Sequence, residues 1–203
     1  MTIDLDEYSY DEWIRFVFDH PVAKQGQKAW YWNDQWEYEA DSKRILQNSI
    51  HLFTDPAFLI SRYSPEQIDQ GFWFLLGEGQ LDDCIWNDEI EVQLRMDCVL
   101  AMANVFRLLF AKHPIQHVCF MWWDLLRNLT ENPDSRIEQA MLDALSEIIM
   151  LDSRDCQHAA LHGLAHLRHP GKKSVFERYL ATHCELDSDL RTYALAASKG
   201  EVQ

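Results

Sequence analysis

Between Pro133 and Gly200 the apolar residues fall at helical spacing four times in succession, and no other feature limits the fold so tightly. In "SRIEQAMLDALSEIIML" the residues Ile137, Ala140, Met141, Ala144, Leu145, Ile148 and Leu151 share one face. "CQHAALHGLAHLRHP" follows after a short polar turn. Next comes "KKSVFERYLATHCELD", with Val175, Phe176, Tyr179 and Leu180, and then "SDLRTYALAASKG", with Leu190, Tyr193, Ala194 and Ala197. The last ends on Lys199-Gly200, a good helix stop. Four short helices make two pairs of about 34 residues each, a period that belongs to stacked helical hairpins.

Helix signals recur upstream. "SYDEWIRFVFDHP" opens with Ser9 and Glu12 at capping-box spacing and stops before Pro21. "DSKRILQNSIHLFTDP" carries Ile45, Leu46, Ser49, Ile50 and Phe53 at helical spacing. "YSPEQIDQGFWFLLGEG" offers Ser64 as cap, Pro65 at the first helical position, and Gly77 and Gly79 as stops. "EVQLRMDCVLAMANVFRLLFAKHP" reads as a helix roughly 33 Å long. From Cys98 on, apolar residues surround its axis except at Asn104 and Arg107, so a central, buried helix is expected. "QHVCFMWWDLLRNLTENP" gives another, closed by Asn132-Pro133. The 24–40 segment, most of it within "KAWYWNDQWEYEAD" (residues 28–41), fits either a helix or an ordered aromatic loop. The expected architecture is all-α, a helical bundle or α-solenoid in a single domain over residues 1–203. Residues 1–90 form its aromatic-rich part and 91–203 its helical array.

"CQHAALHGLAHL" and "DSDLRTYALAAS" resemble the second helix of HEAT-like repeats, in which Asp-x-x-x-Arg-x-x-Ala leads into an Ala/Leu-rich helix. Asp187, Arg191 and Ala194 match that pattern, while Cys156 or Gln157 stands in place of Arg in the earlier repeat. The resemblance covers the last third of the chain. It implies a solenoid fold and a protein-binding habit, with the second helices lining a concave face.

Charge narrows the partners. Lys and Arg number 18 against 33 Asp and Glu, a net charge of −15. Residues 1–100 hold 20 of the acids and 7 of the bases, so the surplus sits in the N-terminal half. Such a field repels phosphate backbones and anionic lipid and attracts basic proteins. Nucleic acid and membrane are therefore not expected as partners. The five cysteines are spread out and form no Cys-x-x-Cys pair, as reduced thiols of a cytoplasmic protein would be. "MTIDLDEYSYDE" lacks the apolar stretch of a signal peptide, and no apolar run reaches a membrane-spanning length.

Candidate functional residues form three groups. His158, His162 and His166, with His169 beyond them, make a ladder at three- and four-residue steps, with Leu161, Leu164 and Leu167 on the far side. The ladder is expected to face outward, toward a partner. His at i and i+4 can chelate Zn²⁺ or Ni²⁺, but no carboxylate or cysteine on the same helix joins that face. No metal and no cofactor are expected on this reading. The second group is an acidic connection, Asp82, Asp83, Asp88, Glu89 and Glu91, suited to docking on a basic surface. In the third, Trp32 and Trp36 are aromatic anchors for an interface. The His-Pro pairs read as helix ends, where imidazolium meets the negative end of the dipole.

Motifs for a catalytic serine, a phosphate-binding loop, a zincin or a dinucleotide are absent from the sequence. The expectation is a non-enzymatic, protein-binding helical module, in its narrowest form an immunity protein or inhibitor that neutralises a basic toxin. The alternatives are a metal-dependent or other hydrolytic enzyme using His158, His162 and His166, and an adaptor or structural oligomer.

Overall fold

The computed structural model describes residues 2–24, 26–32, 37–126, 133–183 and 187–202. Among these residues eleven α-helices carry the chain, and the protein is all-α. They are α1 (Tyr10–Phe18), α2 (Ser42–Thr54), α3 (Leu59–Arg62), α4 (Pro65–Leu76), α5 (Leu81–Trp86), α6 (Val92–Val105), α7 (Gln116–Leu125), α8 (Ser135–Ile148), α9 (Arg154–His166), α10 (Lys172–Thr182) and α11 (Ser188–Ser198).

Local chemistry sets many of the starts. Ser9 Oγ accepts from the Glu12 N–H at 3.4 Å while Glu12 Oε2 accepts from the Ser9 N–H at 2.8 Å, completing the expected capping box. Ser64 and Gln67 repeat the device at α4, with Pro65 next to the cap. Asp41, Asp134, Ser153 and Asp187 cap α2, α8, α9 and α11 through their side chains.

The helices pack in two rows. In one, α2 lies against α6 and α6 against α8. In the other, α1 meets α4, α4 meets α7, α7 meets α9, and α9 meets α11. Contacts between α8 and α9 join the rows, and one contiguous set of buried side chains runs from Leu5 to Ala197. At its centre Trp122 of α7 is fully buried. The rings of Phe53, Phe72, Phe106 and Phe110 stand around it at 5.3 to 5.7 Å.

Two glycines allow the closest approaches. A Cβ on Gly163 of α9 would stand 2.7 Å from Trp123 Cγ and 2.9 Å from Leu145 Cδ2. A Cβ on Gly71 of α4 would run into the Phe18 ring.

Three expectations change. The long central helix ends its α-helical course at Val105 and continues as a π-type turn, Phe106–Phe110, closed by the Ala111 N–H on the Phe106 carbonyl at 2.8 Å. It is also not buried on all sides, because α2 and α8 flank it and its third side meets solvent at Gln93, Asp97, Leu100 and Arg107. The described residues of the 24–40 segment form neither of the two expected alternatives alone. Trp30–Trp32 make a single 3₁₀ turn, and Glu37–Glu39 form a short strand parallel to Thr2–Asp4, with Ile3 opposite Tyr38. The acidic connection is partly helical, because Leu81, Cys84 and Ile85 are buried and fold it into α5.

Candidate functional site

Helix α4 supplies one wall of an open cleft. Its capped start at Ser64 aligns Glu66, Asp69, Gln70 and Trp73 along one face at three- and four-residue steps. The turn holding Tyr31 and Trp32 closes one side, and Pro114–His117, leading into α7, closes the other. The cleft has a volume of about 540 Å³.

Its walls are braced by polar contacts. Asp69 Oδ1 accepts from the Val118 N–H at 2.8 Å, in the first turn of α7, and Asp69 Oδ2 lies 3.5 Å from His117 Nδ1. A carboxylate there meets the positive end of the α7 dipole. The His117 imidazole stacks on the Trp73 indole at 4.5 Å with the planes 4° apart. Gln70 ties the segment before the aromatic turn to α4, accepting from the Ala23 N–H and donating to the Pro21 carbonyl.

Trp32 stands at the rim, 49% exposed, held by its Nε1–H donating to Glu78 Oε1 at 3.2 Å. The Tyr31 phenol is pushed up to about 12 by burial and then by the charges of Asp69 and Glu78. Asp69 lies in the cleft wall, and Glu78 sits behind the rim on the Trp32 indole. Indole faces beside carboxylates hold a cation by quadrupole and charge together.

The sequence-derived candidates divide. Trp32 is at the cleft, whereas Trp36 lies outside the described residues. Asp82 and Asp83 sit in the first turn of α5, where their charge suits the helix N-terminus. Asp82 is half-buried, and burial raises its carboxyl above the usual range. Asp88, Glu89 and Glu91 remain exposed on the turn between α5 and α6. None of these five lines the cleft.

The histidine ladder does not point outward as a whole. His162 is 1% exposed, because α7 covers the side of α9 opposite its leucines. Its Nε2 lies 2.9 Å from Asp124 Oδ2 of α7 and its Nδ1 lies 2.8 Å from the Tyr193 hydroxyl of α11. With the imidazole neutral, Nε2–H donates to the carboxylate and Nδ1 accepts from the phenol. His158 is half-buried against the rings of Phe120 and Tyr193. His166 is partly open, its Nε2 3.9 Å from Asp124 Oδ1. The carboxylate missing from α9 itself therefore arrives from α7.

Sequence reasoning missed Glu66, Asp69, Trp73 and Asp124. The first three were legible as one stripe of α4, but nothing marked that stripe as facing a cleft. Asp124 carried no local signal, since its meaning depends on α7 lying beside α9.

No family model, curated protein or solved structure matches this chain.

Proposed function

We propose that the protein is a non-enzymatic binding module, a HEAT-like array of helix pairs that captures a basic protein partner in the cytoplasm. The cleft between Trp32 and Trp73 takes a Lys or Arg side chain of that partner. One observation carries the reading: Trp32, Trp73 and the carboxylates Glu66 and Asp69 line a single cleft, with Glu78 bound to the Trp32 indole at its rim, in a chain of net charge −15. A guanidinium or ammonium entering there gains cation–π and charge contacts and leaves solvent-screened surroundings.

The two rows of helices support the solenoid part, since stacked hairpins leave an extended surface on each row. The surplus acid of the N-terminal half supports the electrostatic part, because it steers a basic partner toward the half that carries the cleft. The exposed Asp88, Glu89 and Glu91 add to that steering. An inhibitor of a basic toxin is the narrowest form of this reading. Among the described residues no helix is long and apolar enough to cross a membrane.

The test is co-precipitation of basic proteins at low and high salt, with the native chain beside Trp32→Ala and Glu66→Gln. The reading expects a basic protein held at low salt, released at high salt, and lost in both variants. Capture that ignores ionic strength, or that survives both substitutions, refutes it.

A further inference from the structure

We propose that Asp124, His162 and His166 form a divalent transition-metal site, of the kind zinc occupies, at the junction of α7 and α9. It is separate from the cleft, and the two readings stand or fall apart. Three donor atoms, one from each residue, all lie within 4.8 Å of one another.

The donors suit such an ion. Two imidazoles and one carboxylate give nitrogen and oxygen ligands of borderline softness, which favour Zn²⁺, Ni²⁺ or Co²⁺ over Mg²⁺ or Ca²⁺. His162 and His166 are one helical turn apart on α9, with ring centroids 4.7 Å apart. Ligands on one tetrahedral ion, with bonds of about 2.0–2.1 Å, stand roughly 3.3 Å from each other. Here Asp124 Oδ2 is 2.9 Å from His162 Nε2, and Oδ1 is 3.9 Å from His166 Nε2. With no two of the three donor atoms more than 4.8 Å apart, rotation of the carboxylate and of the His166 ring would have to draw them together around an ion.

A second observation points the same way. Asp124 Oδ1 is buried without a hydrogen-bond partner, an arrangement that costs free energy unless something else satisfies the oxygen. A cation between it and the two imidazoles would do so.

Outer contacts are also in place. Metal-bound histidines almost always pass their other ring N–H to an acceptor. On binding, the neutral His162 ring would change tautomer, its single proton passing from Nε2 to Nδ1 by exchange with water, so that Nδ1–H donates to the Tyr193 hydroxyl 2.8 Å away. Phe120 packs on the His162 ring at 4.6 Å and shields that side. Asp124 and His166 are each about a quarter exposed, which leaves a path for the ion and a coordination position for water or a partner's side chain. The ion would tie α7 to α9, with α11 attached through Tyr193.

The experiment uses untagged, chelator-treated protein titrated with Zn²⁺ against a chromophoric competitor and, separately, with Co²⁺. The proposal expects one ion per chain at sub-micromolar affinity, a higher melting temperature with Zn²⁺, and visible absorption of low-symmetry, four-coordinate Co²⁺. His166→Ala, a partly exposed position, should keep the helical circular dichroism and lose tight binding. Tyr193→Phe should weaken binding about tenfold, as loss of an outer contact does. Binding only at millimolar ion, or tight binding that survives His166→Ala, overturns it. The Co²⁺ spectrum of the native chain decides the question even if a variant fails to fold: an octahedral, weakly absorbing spectrum counts against the site.

Discussion

At the scale of single residues, polar groups inside the helical rows do the most specific work. Arg95 is 1% exposed. Its guanidinium donates to the Ile90 and Ile85 carbonyls at 3.1 and 3.2 Å and reaches Asp134 Oδ2 at 3.3 Å. It therefore satisfies the end of α5 and joins it to the start of α8. Arg95→Ala leaves two carbonyls unpaired, and urea unfolding should show a loss of about 3 kcal/mol. Arg95→Lys should recover little of it, since an ammonium cannot reproduce the fork. A loss below 1 kcal/mol in the alanine variant would contradict this account. His20 and His158 set an acid limit. Burial lowers both below the ordinary 6.5, aided at His158 by the neighbouring His162. Each is kept neutral by the fold and charges more easily when unfolded. Stability is then full above pH 6.5 and declines as pH falls from there toward the lowered folded values. Melting temperatures recorded downward from pH 7 should fall, and His158→Gln should flatten part of that slope.

At the scale of helices, the ends were legible in the sequence and the neighbours were not. Ser9 with Glu12, and Ser64 with Pro65, mark their helix starts because capping depends on residues within one turn. The face of α9 toward its leucines was legible for the same reason. The burial of His162 was not, because periodicity separates the two sides of a helix without saying whether both are covered. On α9 both are, by α7 on one side and α8 on the other, with α11 alongside. The π-type turn after α6 and the aromatic 3₁₀ turn likewise depend on packing more than on propensity. The close approach of α7 and α9 at Gly163 makes a direct prediction. Gly163→Ala drives a methyl into Trp123 and Leu145 and should lower stability by about 1–3 kcal/mol, outweighing alanine's better helix propensity of about 1 kcal/mol. An unchanged or raised denaturation midpoint would mean that the helices are not so close.

At the scale of the whole molecule, burial of aromatic rings and the acidic surface act together. Tyr10, Tyr31, Tyr38, Tyr179 and Tyr193 are each pushed from 10.0 up to about 12, burial being the main cause. A raised folded value means stability fully present below pH 10 and lost as pH climbs toward 12. Tyrosinate absorbance and helical circular dichroism should therefore change together across that interval. Tyrosinate forming well before the helix signal falls would show the rings to be open to water. The all-α architecture and the acidic bias were legible from apolar spacing and charge counts, because both are sums over many residues. The cleft was not, since Trp32, Glu66 and Trp73 meet only after the turn at Trp30–Trp32 is laid against α4.

That cleft is the centre of the functional account, and nuclear magnetic resonance of the indole N–H groups tests it most directly. Equal-length basic, neutral and acidic peptides would be titrated into labelled protein while the signals of Trp32 and Trp73 are followed. The account predicts saturable shifts of both with the basic peptide alone, weakened by salt and abolished by Glu66→Gln. Shifts scattered over the acidic surface with Trp32 and Trp73 unmoved, or equal responses to all three peptides, would contradict it.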